Sequence, residues 1–580
     1  MNRAGRRWRM AQVYRAKTSS IYRIERFRGL NESADAESSL KGGEATAMSN
    51  FKITPEGHLR VRPGLQTLTS LGSSPVRGLW TGYIGGTEHT LAACGGVIWR
   101  LNLSDGTKQN IGYMLDKSTN FFGFNGKVYI LNGSQYFWWA GSGNVSAVVP
   151  YVPLIAVSTP PAGGGTLLER LNVLTGLRRQ RFSPDGASSL YHLAEKAITQ
   201  VTKVSVNGNV LASDLYGVNV TQGMVTFGTG VIPPLGENTV EIEYRKGNGS
   251  PELVTAMRFA ETYNGLTDTR VFLYGNGSNR AIYSGLDEFG EPRADYFPEM
   301  NEVQIDSSNA AITAMIRHYD KLLAFKENGM WAITYGAVTL SDGSITGGFY
   351  VIPVNGEIGN LAPGQVKLVE NSPISLYSGA FYTWSVTGVR DERSAKRFSE
   401  RADKLLAESD LSAAVVIDDN FSQEYCVHLG TKCVVYEYGT SVFYLYENLP
   451  EISCGLAQGG DRYLGTTNGK IMKMSDSIFN DDGTAISCSW QAGLRGFGRE
   501  MASKYSSGLW IRAKSEFGGL VSITAQDEKV QNRENMAVLN SGEVQIVKLR
   551  LNIRKFKLAK WTVQTSSPAI TLLGIDIMLR

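Results

Sequence analysis

The feature that most constrains the fold is a recurring unit of short alternating strands separated by tight turns. Alternating apolar and polar runs are broken by Gly, Asn or Asp roughly every 8–15 residues. A strand with one apolar face needs a neighbouring sheet, and radial stacking of small sheets supplies one. The pattern therefore predicts an all-β chain with a propeller-like body. Typical units are FNGKVYILNG, YDKLLAFKENGMWAI, YSGAFYTWS and GGDRYLGTTNGKIMKM, which begin at Phe124, Tyr319, Tyr377 and Gly459.

Composition agrees with this expectation. The 580 residues include 64 glycines, and charged residues make up 19%. Glycine is therefore more frequent than its usual level of about 7%. The low share of charged residues argues against many surface helices. The chain is long enough for several domains of roughly 100–200 residues each, unless one large β unit absorbs most of it.

Two segments interrupt the propeller pattern. Residues 160–250 begin with PPAGGGT and end with YRKGNGS. Between these two Gly-rich segments apolar and polar residues alternate, which predicts a small inserted β-sandwich. Residues 391–408 predict an amphipathic helix, because their apolar residues fall at helical spacing: Ala395, Phe398, Ala402, Leu405 and Leu406. Such a helix packs on a sheet edge or forms a subunit contact.

The predicted organisation has five parts. Residues 1–70 form a basic arm and a hairpin, 71–159 the first part of the propeller, and 160–250 the insertion. Residues 251–490 form the rest of the propeller, and 491–580 form a C-terminal β region that closes the body.

Charge is distributed unevenly, although the net charge is only +4. Residues 1–28 contain eight arginines, one lysine and one glutamate, and they lack the apolar stretch of a signal peptide. This arm is expected to be a disordered tail or to be held by a neighbouring subunit. Near the C-terminus Lys and Arg alternate with apolar residues, which indicates a solvated sheet face or a docking face for an acidic partner. The small net charge gives no general reason to expect nucleic-acid or membrane binding.

A charged hairpin precedes the propeller. NFKITPEGHLRVRPGLQTL spans Asn50 to Leu68, alternates like two strands and turns at Pro55-Glu56-Gly57. Arg60 and Arg62 share one strand face, and Pro63-Gly64 would turn the chain into the first blade. The two arginines are expected to meet a carboxylate, either in the body of the same chain or in an adjoining ring.

The chain offers little that predicts catalysis. Its five histidines are scattered, and none has a zinc-binding spacing. The pairs Asp418-Asp419 and Asp481-Asp482 lie in turn-like contexts and are expected to serve as turns. LSDGTKQN, LSDGSITGGF and NDDGTAISCSW echo the aspartate box of sialidase propellers without completing it. We therefore expect no enzyme activity, no metal and no cofactor. A carbohydrate-binding or glycan-hydrolysing propeller is the alternative.

Several of these features occur together in one known group. The hairpin residues Asn50, Gly57, Leu59, Arg62 and Pro63-Gly64 precede a propeller pattern, and the chain closes on RLNIRKFKLAKWTVQTSSPAITLLGIDIMLR. In this order they resemble the tail hub or tail nozzle (tail accessory) proteins of short-tailed double-stranded DNA bacteriophages. The resemblance covers most of the chain outside residues 160–250, but the basic leader has no counterpart in it.

The resemblance implies a structural virion protein that is made and assembled in the host cytoplasm. Such a protein is a homo-oligomer, expected to be a hexameric ring, that extends the DNA channel below the portal and adaptor rings. It holds the tail needle, tip or fibres, passes genomic DNA without sequence-specific binding and needs no membrane anchor. The predicted partner-docking residues are Arg60, Arg62, Pro63 and Gly64 in the hairpin and Arg6, Arg7 and Arg9 in the arm. A cellular propeller scaffold that binds peptides is a further alternative.

Overall fold

The computed structural model describes residues 19–33, 40–339, 345–387, 392–498 and 501–580. These ranges form β-strands joined by turns, with two short helices, α1 (Glu252–Thr255) and α2 (Asp403–Ala407), and 3-10 turns at Ser213–Leu215 and Leu411–Ala413. The predicted all-β class is confirmed. No helix in the described ranges has the length and apolar character that crossing a membrane requires.

Five strands precede the first complete blade, and they serve other parts of the molecule. They are β1 (Ser20–Ile24), β2 (Ala45–Ser49), β3 (Phe51–Ile53), β4 (Leu59–Val61) and β5 (Gly64–Ser70). The strands β3 and β4 pair antiparallel as a hairpin, with Phe51 opposite Val61. The strands β1 to β4 belong to the C-terminal sheets, and β5 belongs to the last blade.

Two four-stranded antiparallel blades follow. Blade 1 contains β6 (Val76–Ile84), β7 (Thr87–Cys94), β8 (Val97–Leu101) and β9 (Lys108–Tyr113), and blade 2 contains β10 (Asn120–Phe124), β11 (Lys127–Leu131), β12 (Tyr136–Trp139) and β13 (Ser146–Ala147).

An inserted β-sandwich interrupts the propeller after blade 2, as predicted. Its strands are β14 (Leu154–Thr159), β15 (Thr166–Leu167), β16 (Leu177–Phe182), β17 (Leu190–His192), β18 (Gln200–Val206), β19 (Asn209–Val210), β20 (Tyr216–Asn219), β21 (Met224–Phe227) and β22 (Val240–Arg245). Six of them form one sheet and β17, β21 and β20 form the other, around a separate core that includes Phe182 and Tyr191. The first strand of the insertion begins at Leu154, before the predicted domain boundary at residue 160. Arg181 holds the insertion to the blade 3 region through Glu288, with Nη1 2.8 Å from Oε2.

Blades 3 to 6 continue the propeller after the insertion. Their strands are β23 (Phe259–Asn264), β24 (Thr267–Tyr274), β25 (Arg280–Tyr283) and β26 (Glu302–Gln304); β27 (Ile312–His318), β28 (Lys321–Lys326), β29 (Gly329–Thr339) and β30 (Ile345–Asn355); β31 (Lys367–Val369), β32 (Ser372–Tyr377), β33 (Ala380–Thr387) and β34 (Glu392–Arg397); and β35 (Val415–Asp419), β36 (Glu424–Leu429), β37 (Lys432–Glu437) and β38 (Val442–Tyr446).

Blade 7 is built from both ends of the propeller sequence. Its first three strands are β39 (Ile452–Gln458), β40 (Asp461–Thr466) and β41 (Lys470–Ser475). The fourth is β5, which pairs antiparallel with β41 so that Gly64 lies opposite Ser475. The strand β39 contacts both β35 and β6, and the other blades follow in sequence order. The described chain therefore forms a closed seven-bladed propeller whose ring is sealed by an N-terminal strand.

The C-terminal region forms a β-sandwich against blade 6. Its strands are β42 (Cys488–Ala492), β43 (Lys504–Ser515), β44 (Gly519–Asp527), β45 (Asn532–Leu539), β46 (Gln545–Leu549), β47 (Ile553–Phe556), β48 (Ala559–Thr565) and β49 (Ile570–Leu579). Sheet A has the order β3-β4-β49-β43-β46, with β1 paired to β49 and β47 to β43, and sheet B has the order β2-β42-β48-β44-β45. One continuous apolar core joins this sandwich to blades 5, 6 and 7.

The helix predicted over residues 391–408 is correct only near its end. Residues Glu392–Arg397 form β34, which pairs with β33 as the fourth strand of blade 5. Only Asp403–Ala407 are helical, with Leu405 and Leu406 buried. The open edge of β33 gains a full row of backbone hydrogen bonds from a strand, and this outweighs the local helical preference.

Candidate functional site

The most elaborate polar site lies where the hairpin enters the body. We call it the closure site and define it by Asn50, Arg62, Gly64, Tyr446 and Asp481. It joins sheet A, blade 6 and the loop after blade 7 to the start of β5. Its side chains come from three separate parts of the sequence, so only the folded chain assembles it.

Arg62 is the centre of the closure site and is 2% exposed. Its Nη1 and Nη2 lie 3.0 Å and 2.6 Å from the two carboxylate oxygens of Asp481, a bidentate pair. Its Nε donates to Asn50 Oδ1 at 2.9 Å, and Nη1 also donates to the Pro63 carbonyl. The guanidinium carbon lies 5.8 Å from the centre of the Tyr446 ring. The charge of Arg62 is therefore neutralised within its own chain.

Asn50 fixes the beginning of the hairpin. Its φ is 56°, in the left-handed region that Asn tolerates better than most residues. Its backbone N–H donates to the Leu445 carbonyl, and its Nδ2 donates to the Ser487 carbonyl at 2.8 Å. Its Oδ1 also accepts from the Glu447 N–H at 2.8 Å. One buried side chain thus ties the hairpin to blade 6 and to the approach to β42.

The Asp481-Asp482 pair anchors the closing strand β5. Asp481 Oδ1 accepts from the Leu65 N–H at 3.1 Å, and Asp482 Oδ1 accepts from the Thr67 N–H at 2.7 Å. Gly64 lies so close to this loop that a Cβ there would be 2.4 Å from the Asn480 carbonyl oxygen. The site therefore needs glycine for close backbone approach. Gly64 begins β5 in the last blade, so the prediction that Pro63-Gly64 turns the chain into the first blade was wrong.

A second buried ion cluster lies between blades 6 and 7 and consists of Asp419, Glu424 and Arg462. All three are at most 3% exposed. Arg462 Nε lies 3.2 Å from Asp419 Oδ2, its Nη2 contacts Glu424, and its Nη1 lies 3.0 Å from Cys426 Sγ. Tyr444 donates its hydroxyl hydrogen to Glu424. A buried carboxylate pair is costly unless a cation is positioned between its members, and Arg462 is that cation.

Asp418 adds a titratable group next to this cluster. Burial, followed by the neighbouring Asp419, raises its pKa to about 6, and Lys367 opposes the shift. The folded chain therefore keeps a proton that the unfolded chain releases near pH 4, so this group lowers stability as the pH rises from about 4 to about 6.

Replacement of Asp418 by Asn is expected to raise the urea midpoint at about pH 7.5 and to change it little at about pH 4, because Asn cannot ionise. Urea unfolding followed by tryptophan fluorescence at both pH values measures this. An equal gain at both values would show that the charge of Asp418 is not the cause.

An open polar groove of about 740 Å³ lies between blades 1 and 7. Its lining includes Glu88, His89, Arg100 and Asp461, and Lys473 holds Asp461 at 2.7 Å. Tyr463 also borders the groove but is only 5% exposed, so it offers no open ring for sugar stacking. In the described residues, no three His, Cys, Asp or Glu side chains are grouped as metal ligands would be.

The predicted docking residues fall into different environments. Arg62, Pro63 and Gly64 are buried in the closure site, so Arg62 meets a carboxylate of its own body, the first of the two alternatives that the sequence left open. Arg60 is partly exposed and lies 3.6 Å from Asp476. Its docking on a partner stays a prediction. The arm residues Arg6, Arg7 and Arg9 lie outside the described residues.

Sequence patterns did not reveal the partners of Arg62 and Arg462. Both Asp-Asp pairs were predicted to serve as turns. Asp481-Asp482 does begin a turn, but Asp418-Asp419 forms the end of β35, so that prediction was wrong. Asn50 precedes a strand without any special signal. The only hint was an arginine inside a strand of the hairpin, where its charge needs a partner if the strand is buried.

No known family model matches the sequence. No curated protein matches it either. Among solved structures, the computationally designed Ika8 protein is 11% identical, with a TM-score of 0.32, and covers 71% of this chain and 99% of its own. BamB from Moraxella catarrhalis is 9% identical, with a TM-score of 0.30, over 79% of this chain and 100% of its own. An exo-β-1,3-galactanase from Phanerochaete chrysosporium is 10% identical, with a TM-score of 0.19, over 55% of this chain and 96% of its own. At these scores the propeller assignment rests on the sheets of this chain.

Proposed function

We propose that this chain is a structural subunit of a phage tail that assembles into a hub or nozzle ring around a DNA channel. The observation that carries the proposal is the closure of the body. An N-terminal strand seals the propeller, and the hairpin before it is built into the C-terminal sandwich. A subunit with both ends of its fold fixed in this way is rigid, as symmetric ring contacts require.

The polar chemistry of the described chain also supports a structural role. Arg62 and the Arg462 cluster are buried, and their charges are paired within the chain, so these groups strengthen contacts between parts of the fold. The proposal therefore includes no catalytic activity.

One face of the sandwich suits contact with a second copy. On the outer side of sheet B, Leu520 lies opposite Val538 and Ser522 opposite Met536. Leu520, Met536 and Val538 are 48%, 58% and 66% exposed. The face continues over neighbouring strands through the uncharged residues Ser489, Gln491, Thr562 and Gln564, and its charged residues, Glu534 and Lys560, lie toward one end. Depletion of charge is characteristic of interface cores, and exposed apolar side chains mark contact sites.

The test is the oligomeric state of the purified chain. We expect mass photometry and electron microscopy to show a closed ring, with the mass of a hexamer, and immunoblots to detect the chain in purified particles. Replacing Met536 and Val538 by Arg should reduce the ring to single subunits, whereas Arg at the exposed Val218 and Val220 of the insertion should leave it intact. A chain that stays monomeric, is absent from particles or hydrolyses glycans would overturn the proposal.

A further inference from the structure

The outer face of sheet A carries a dense group of cations. Arg23, Asp576, Trp510 and Lys548 form one row across four strands, because each lies opposite the next in register. The members of this group, which we call the basic face, are Arg23, Arg512, Lys514, Lys548 and Arg554.

These cations are poorly neutralised. Asp576 neighbours two of them, with Oδ1 3.9 Å from Arg23 Nε and 3.8 Å from Arg512 Nη2, and Glu56 lies within electrostatic range of Lys514. Lys514, Lys548 and Arg554 are exposed and form no ion pair with any described residue. From Val544 to Thr565 the chain has no Asp or Glu and six Lys or Arg. A charge run is often only a solvated face, but this one is also ordered by aromatic rings.

Two aromatic side chains fix the cations in place. Lys548 Nζ lies 5.1 Å from the centre of the Trp510 ring, and Arg554 Cζ lies 5.8 Å from the centre of the Tyr505 ring. Both contacts are within cation–π range and reduce the entropy that these side chains lose on binding. They also cover the rings, so neither ring is open for stacking with an unpaired base. The arrangement favours contact with phosphates over contact with bases.

The basic arm joins the same sheet. The strand β1 pairs with β49, with Ser20 opposite Leu579, and the preceding residues 1–18 contain six Lys or Arg and no acid.

We propose that the basic face binds duplex DNA through its phosphate backbone, without reading sequence. Duplex DNA presents one negative charge per about 1.7 Å of its axis, which suits a surface with several unpaired cations. A protein partner is less suitable, because the cores of protein interfaces are depleted of charge. The inference goes beyond the proposed ring, which requires no phosphate-binding surface.

The test is fluorescence anisotropy of the full-length chain with a short fluorescein-labelled duplex between about 50 and 200 mM KCl. We expect binding that weakens steeply with salt and is competed equally by duplexes of different sequence. The variant Lys514→Gln, Lys548→Gln, Arg554→Gln should bind at least about 10-fold more weakly. Three lost phosphate contacts should also reduce the slope of log K against log salt by about 2.7.

A matched control removes the same charge elsewhere. Lys117→Gln, Lys196→Gln, Lys203→Gln should bind within about 2-fold of the unmodified chain, and thermal unfolding should confirm that both variants fold. Absence of binding at the lowest salt, an equal loss in the control, or tighter binding of a single strand than of the duplex would overturn the inference. None of these outcomes depends on whether the chain forms a ring.

Discussion

Replacing Arg462 by Met is expected to destabilise the folded chain by about 4–5 kcal/mol, the upper part of the range for breaking a buried ion pair. The substitution leaves Asp419 and Glu424 with side chains that are 2% and 3% exposed and without their cation. Water cannot reach these carboxylates, so the desolvation cost is not recovered. Urea unfolding near neutral pH, followed by tryptophan fluorescence, should show a clear fall in the midpoint.

The destabilisation caused by the two unpaired carboxylates can be distinguished from destabilisation caused by lost packing. Adding Asp419→Asn and Glu424→Gln to the Arg462→Met variant removes both uncompensated charges, and it should recover much of the lost stability. Leu464→Ala serves as a packing control, since it creates a cavity in the same blade, and the two amide substitutions should not rescue it. An Arg462→Met variant as stable as the unmodified chain would show that the cluster contributes nothing net.

Local patterns predicted the strands well because each blade repeats the same local requirement. A turn with Gly, Asn or Asp and an alternating strand are set by a few adjacent residues, as in FNGKVYILNG. The hairpin at Phe51–Val61 was predicted for the same reason. The helix predicted over 391–408 was largely wrong, because residues Glu392–Arg397 pair with the open edge of β33. This pairing outweighs the helical preference of their own sequence.

The pairings that close the fold were not predictable from local patterns. The strand β5 lies opposite β41 across some 400 residues of sequence, with Gly64 opposite Ser475. Arg62 and Asp481 are 419 positions apart. Periodicity describes which side of a strand is apolar but not which distant strand or carboxylate it will meet. The sequence therefore indicated that Arg62 needs a partner and left the identity of that partner open.

The structure gives Arg62 and Arg60 different expected effects, although they are only two residues apart. Replacing Arg62 by Met should destabilise the chain by about 3 kcal/mol, because it breaks the bidentate pair with Asp481 and removes a donor from Asn50. The loss should be smaller than for Arg462, because the Asp481 side chain is 22% exposed and water can partly solvate it. Urea unfolding measures the loss, and faster proteolysis within residues 50–70 should accompany it as β5 is released.

Arg60→Met is the matched control. Its pair with Asp476 is partly exposed, with the closest atoms 3.6 Å apart, so the loss should be at most about 1 kcal/mol. Arg62→Lys should recover only part of the stability, because an ammonium cannot form the bidentate pair. If Arg62→Met unfolded at the same urea concentration as the unmodified chain but failed to assemble with its partners, Arg62 would serve docking and the closure site would not depend on it.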